Sequence, residues 1–130
     1  MYRVDYDSVN DFLKNICLND FPLIDHYLHY DEGYMDDNWI RYSIFYKDNT
    51  NNPICVIAKR LPEEEIGHIL ILEVKKDLKR HGYGKEAINM YMKDKPYWDL
   101  FSTDEAVPFY KSLGFKKDKE TQSFYFGFEI

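Results

Sequence analysis

Residues 68–74 form a nearly continuous apolar run, which gives way directly to a basic, glycine-containing segment running from Lys75 through Lys79, Arg80, His81, Gly82, Tyr83 and Gly84 to Lys85. A short apolar run bounded by turn residues predicts a strand covered on both faces and central in a sheet. The segment after it predicts a loop that delivers the chain to a helix start, with Ala87, Ile88, Tyr91 and Met92 facing the sheet and Pro96 closing the helix. The first N–H groups of a helix have no partner inside it, and glycine lets backbone approach a ligand closely. Between Lys75 and Lys85 there are five bases and one acid, in a chain of net charge −6. The local physics is that of anion capture.

Around this unit the elements alternate. Residues 2–6 predict a short first strand. Asp7 and Ser8 offer an N-cap to a helix carrying Val9, Phe12, Leu13 and Ile16 at helical spacing. A second helical patch spans 22–30. Strands are expected at 39–46, 54–59, 68–74, 97–101 and 123–130, with a solvated connection at 61–67. Thr103 or Asp104 can cap a helix bearing Ala106, Phe109, Tyr110 and Leu113, and Gly114 is placed to end it. The order describes a mixed α/β (α+β) sheet with helices on its faces. At 130 residues the chain fits a single domain, 1–130.

Hydrophobic residues make up 45% of the chain and charged residues 31%, which supports a packed core rather than disorder. The aromatic share of 18% lets a small domain bury large area per side chain. Residues 1–50 carry ten acids against four bases, whereas 51–130 balance at thirteen each. That acidic excess predicts no nucleic-acid partner and no membrane association. Cys17 and Cys55 each sit among apolar neighbours and are expected as small buried thiols, with no metal-ligand spacing. The absence of a signal core and of any bilayer-length apolar run predicts a cytoplasmic protein.

For the basic loop three readings stand: a strand–turn–helix with solvated lysines, a phosphate site for some nucleotide, or a specific cofactor loop. It lacks the three-glycine dinucleotide pattern and the Gly-Lys-Ser/Thr ending of an NTP loop. Lys79-x-x-Gly82-x-Gly84 resembles the [Gln/Arg]-x-x-Gly-x-[Gly/Ala] pyrophosphate loop of GNAT acetyltransferases. Downstream, Ala106, Phe109, Tyr110, Gly114 and Phe115 are similar to that family's Ala-x-x-Phe-Tyr-x-x-x-Gly-Phe segment, in the family's order and at its spacing. The resemblance covers residues 54–130 well and the N-terminal third by element order. It implies a GNAT-like fold, with a mixed central sheet of about six to seven strands flanked by about four helices.

The resemblance also implies an N-acetyltransferase using acetyl-CoA as acyl donor. The donor would lie in a split between the strands at 68–74 and 97–101. Backbone near Val74 would meet the pantetheine or the thioester carbonyl. The N–H groups of Arg80, His81, Gly82, Tyr83, Gly84 and Lys85 would hold the pyrophosphate beside Lys79. Thr103 stands where many members bond the pantetheine arm through Asn. Tyr110 matches the tyrosine that protonates the leaving thiolate, although its place on an apolar helix stripe also fits a core aromatic. His68 falls where histone-type members place their base, and a structural histidine is the plainer alternative. Glu73 is the rival base; strict alternation sets it on the face opposite His68, and a bulge would change that.

With the negative excess in the N-terminal region, where this fold usually builds its acceptor site, a cationic amine is the expected acceptor. Tyr27, Tyr30, Tyr34 and Trp39 are available to pack against it. Two further classes stay open, an acyl-CoA-binding sensor or interaction module with little transfer, and a protein-binding domain without the cofactor.

Overall fold

The computed structural model describes residues 1–30, 37–61, 65–102, 104–119 and 123–126. Its elements in chain order are β1 (Tyr2–Tyr6), α1 (Val9–Leu13), α2 (Pro22–Tyr30), β2 (Ile40–Tyr46), β3 (Pro53–Arg60), β4 (Ile66–Val74), α3 (Tyr83–Tyr91), β5 (Tyr97–Leu100), α4 (Val107–Ser112), β6 (Lys116–Lys117) and β7 (Phe124–Phe126). The strands make one seven-stranded sheet in the order β1-β2-β3-β4-β5-β7-β6. Adjacent strands are antiparallel except β4 and β5, which run parallel because α3 crosses over between them. This is the mixed α/β sheet expected, with β4 in the middle.

Alternation along β2 and β3 sends Ile44 and Val56 to one face and Phe45 and Ile57 to the other. The first face is covered by α1 and α2, through Val9, Phe12 and Ile24, and by the intervening Phe21. The second is covered by α3 and α4, through Ala87, Ile88, Tyr91 and Tyr110, packed with Trp98 and Leu100. Covering on both faces explains why these strands read as apolar runs rather than alternating ones. Ser8 caps α1, its side-chain oxygen accepting from the Asp11 N–H at 3.4 Å. Gly114, at φ +93°, follows α4 in the left-handed conformation that ends a helix.

Cys55 is buried as expected, but Cys17 is exposed. The reason is local. α1 stops at Leu13, so the helical phase that would turn Cys17 inward is not continued; the chain enters a tight turn at Leu18–Asp20 instead. β6 is a two-residue strand that the sequence pattern does not announce. The last strand is described only over Phe124–Phe126, and 127–130 lie outside the described residues.

Trp98 is fully buried and donates its indole N–H to the Met92 and Lys95 carbonyls at 3.0 and 3.1 Å. Its ring lies directly over Gly67, where a Cβ would come within 2.1 Å of it. This close approach keeps the start of β4 tight against β5.

Candidate functional site

β4 and β5 pair only from Ile66↔Tyr97 to Ile69↔Leu100. β5 ends there, while β4 continues to Val74 and stays paired with β3. The two parallel strands therefore part, and residues 70–74 keep a strand partner on one edge only. At the parting the β3–β4 ladder skips Leu70, going from Ala58↔Ile71 to Lys59↔Ile69. Ile69 packs on the α3 side, Leu70 and Ile71 on the α1–α2 side, and Leu72 and Val74 on the α3 side again. This bulge breaks the alternation. His68 and Glu73 consequently share one face of the sheet, against the strict period of two.

A cleft of about 770 Å³ opens where the strands part. Its walls bring together Glu73 and Val74 of β4, Lys79, Arg80 and Gly82 of the loop, Tyr83, Gly84 and Lys85 of α3, and Phe109 and Tyr110 of α4. Pro22, Leu23 and His26 of α2 form the opposite side. His81 lies in the loop but not on the cleft wall, and Thr103 lies outside the described residues. His68 is not brought into the cleft. It lines a separate depression with Trp39, Arg60 and Leu61.

The loop is shaped to present its amides. One tight turn, Lys76–Leu78, closes with the Leu78 N–H donating to the Lys75 carbonyl at 2.8 Å. Arg80 at φ +69° and Gly82 at φ +82° both take the left-handed conformation. Alternating hands of this kind point successive N–H groups into one concavity that suits an anion. Gly82 is the N-cap of α3, and nothing lies within 4 Å of where its Cβ would be. Gly84 is the point of closest approach, since a Cβ there would sit 3.2 Å from Val74 Cγ2. The first helical bond runs from the Glu86 N–H to the Gly82 carbonyl at 3.1 Å. Among the described residues no acceptor takes the N–H groups of residues 80–85. Lys75 approaches Asp20 at 3.9 Å, while Lys76, Lys79, Arg80 and Lys85 make no ion pair among the described residues.

Glu73 is buried, and its two oxygens accept from the Leu23 and Ile24 N–H groups at 2.8 and 2.9 Å. A strand carboxylate thus caps the first turn of α2, fifty residues away in sequence at its farther partner. Burial pushes this carboxyl above its ordinary range, while the two amides and Lys79 oppose the shift. Tyr110 is buried with its ring edge-on to Phe109 and Phe115, and burial raises its phenol to about 12. The phenol is a proton donor throughout the neutral range. His68 Nδ1 meets Asp99 Oδ1 at 2.6 Å.

His26 and Phe109 are cleft residues that sequence reading did not assign to the site. Pro22 and His26 are spaced i, i+4 and so share a helix face, but which face of α2 meets the cleft is decided by the Glu73 cap. The acidic excess is largely spent in local contacts. Asp5 pairs with Arg3, Asp7 with Arg41, Asp11 with Lys14, Asp25 with His29, and Asp48 with the N-terminal amine. None of the described acids among residues 1–50 lines the cleft.

No protein-family model matches the sequence, and no curated protein matches it. Solved structures do. The AtaT–AtaR complex bound to DNA matches at TM-score 0.67 and 16% identity, over 97% of this chain and 93% of that one. The AtaT Y144F toxin, bound to the C-terminus of the antitoxin AtaR and to acetyl-CoA, matches at 0.59 and 14%, over 80% and 78%. Tetrahymena GCN5 matches at 0.57 and 14%, over 75% and 81%. The chain has the GNAT acetyltransferase fold. One expectation is corrected by these matches. The acidic net charge excluded a nucleic-acid partner, yet AtaT, with the same fold, occurs in a DNA-bound complex. Net charge fails as a criterion because it averages over a surface that includes a loop of local charge +4, and because it omits the charge that a partner protein brings. No described helix is long and apolar enough to cross a membrane.

Because the folded Glu73 carboxyl titrates above its unfolded value, its contribution to stability is full below the unfolded value and declines as pH rises through the folded one. Glu73→Gln therefore flattens the fall of the urea midpoint that sets in as pH rises above the ordinary carboxyl range. It also speeds amide exchange at Leu23 and Ile24 by about tenfold. Unchanged exchange at both amides would show that the cap does not hold α2.

Proposed function

We propose that this chain transfers an acetyl group from acetyl-CoA to a primary amine, as one domain over residues 1–130 in an acetyl-CoA-supplying compartment such as the cytoplasm. The observation that carries the reading is the run of N–H groups at residues 80–85 with no acceptor among the described residues, at the mouth of a cleft between parting parallel strands. A diphosphate is the ligand such a nest suits. Lys79, Arg80 and Lys85 add charge at the same mouth, and their lack of ion pairs among the described residues fits that role. Further in, the unpaired edge of β4 at Leu72 and Val74 offers strand-like hydrogen bonding to the amides of a pantetheine arm. Phe109 and Leu78 supply apolar wall along it.

In the reaction the amine nitrogen attacks the thioester carbonyl carbon, the C–S bond breaks, and the ammonium proton is lost. The protein holds the two reactants at reacting distance and moves two protons. Tyr110, protonated and on the cleft wall, is the donor to the departing thiolate. Glu73 serves better as the support of α2 than as a base, because both of its oxygens are engaged. A cationic acceptor keeps less support than the sequence suggested, since the described acids are paired locally and do not line the cleft.

Acetyl-CoA at millimolar concentration raises the Tm, and Gly82→Trp, which fills the open side of the loop, abolishes the rise. Absence of a shift in the unaltered chain would refute cofactor binding. Tyr110→Phe lowers turnover roughly ten- to a hundredfold with little change in acetyl-CoA affinity. In the unaltered chain no alkaline loss attributable to this phenol occurs below about pH 11, because burial holds it at about 12. Equal turnover of the two would remove Tyr110 from the proton path. Binding of acetyl-CoA without thiol release to any amine would leave the chain as an acyl-CoA-binding module.

A further inference from the structure

We propose that β1 is a docking edge for the β1 of a second copy of this chain, the two strands pairing antiparallel about a two-fold axis at Val4; this rests on the sheet alone and not on the cofactor reading. The two ends of the sheet differ. Among the described residues β1 and β6 are its end strands. β6 is two residues long and exposes Lys116 and Lys117, the short, lysine-bearing form that discourages further pairing. β1 has five residues, Tyr2–Tyr6, and pairs with β2 along its whole length. Among the described residues it has no strand on its other side. Its outer row of N–H and C=O groups is a template for another strand. Tyr2 and Val4 stand exposed on this strand. The strand is also held firmly for such a role. The Tyr2 hydroxyl donates to the Thr50 carbonyl, and its ring stacks on Tyr46 with centroids 5.0 Å apart.

The residues of the edge select the occupant. Tyr2-Arg3-Val4-Asp5-Tyr6 is its own complement when reversed. Antiparallel pairing centred on Val4 sets Tyr2 opposite the partner's Tyr6, Arg3 opposite the partner's Asp5, and Val4 opposite the partner's Val4. Directly opposed side chains share one sheet face and lie about 5 Å apart. Every pair is then favourable: aromatic on aromatic, cation on anion, apolar on apolar. A slip by two residues either way opposes Arg3 to Arg3 or Asp5 to Asp5, so charge fixes the register. On the α1 side, Tyr2, Val4 and Tyr6 line one shallow depression with Tyr46, where the partner's tyrosines find apolar surface. On the α3 side, Arg3 donates through Nε to Asp5 at 2.8 Å and through Nη2 to Asp94 at 2.6 Å. Its Nη1 makes no hydrogen bond among the described residues, which leaves a donor for the partner's Asp5. Lys59 acts on Asp5 as a second positive charge, so Arg3 and Lys59 balance Asp5 and Asp94 in a chain of net charge −6. Exposed ion pairs add little affinity but set partner and register; main-chain hydrogen bonds and the Tyr and Val surfaces hold the strands. A five-residue edge is small, so the dimer is weak and concentration-dependent. The cleft lies inward on β4, beyond β2 and β3, and stays open in the pair.

Sedimentation velocity from about 10 µM to about 1 mM protein spans the range of a weak interface. The unaltered chain passes from monomer to dimer as concentration rises. Val4→Lys and Val4→Glu each bring two like charges together on the axis, and each stays monomeric over the range. Mixed in equal amounts, the two variants form the dimer again, because the mixed pair sets opposite charges on the axis. Val4 is exposed, so circular dichroism of both variants matches that of the unaltered chain. A second measurement does not depend on those variants. Val4→Cys in a Cys17→Ser background, with Cys55 buried, is joined into a covalent dimer by a short thiol crosslinker. A chain that stays monomeric throughout, a dimer that survives both charged variants, a mixture that fails to restore it, or no crosslink where the unaltered chain is dimeric overturns the proposal.

Discussion

A backbone N–H that the fold leaves without an acceptor must find one in water or in a ligand, and residues 80–85 present six in succession that have none among the described residues. The arrangement is costly to build. Arg80 takes a left-handed conformation that disfavours any side chain, and Gly84 must be bare for α3 to approach Val74 and Phe109. The parting of β4 from β5 adds a second set of unsatisfied groups, along one edge of residues 70–74. Both sets open on one cleft. An extended ligand with a diphosphate at one end and amides along its length answers both demands together.

The two faces of the sheet divide the labour. α3 and α4 hold the donor side, where Gly84 and Tyr110 come into position through the packing of Ala87, Ile88 and Phe115. α1 and α2 hold the other side, and Glu73 fastens α2 to the same strand that lines the cleft. Movement of α2 would therefore be felt at the cleft through one carboxylate. At the apex, Gly67 lets the Trp98 ring close over the start of β4, which holds His68 in register with Asp99.

What was legible in the sequence was local. Gly82, Gly84 and the basic residues around them announce a loop whose chemistry depends on neighbours within a few positions, and the apolar run at 68–74 announces the central strand. Gly114 and Ser8 mark helix ends by short-range backbone preferences that hold in the fold. What was not legible depended on register and on contacts across long separations. Strict alternation separated His68 from Glu73, and a single bulge at Leu70 reversed that relation. The Glu73 cap joins residues 49 and 50 apart, and the His68–Asp99 pair joins residues 31 apart, so neither follows from spacing. Charge misled for a similar reason. A tally of Asp and Glu in residues 1–50 does not show that Arg3, Lys14, Arg41 and the N-terminal amine sit beside them.

The central claim, that the amides of residues 80–85 receive the cofactor's diphosphate, is tested most directly by titrating the ¹⁵N-labelled protein with CoA and following the amide signals of Gly82, Tyr83, Gly84 and Lys85. The account predicts that these four signals move together and saturably, downfield as hydrogen bonds to phosphate form, and that CoA lacking its pantetheine arm still moves them. Signals that stay in place while CoA binds elsewhere on the protein, or that do not respond at all, would contradict it.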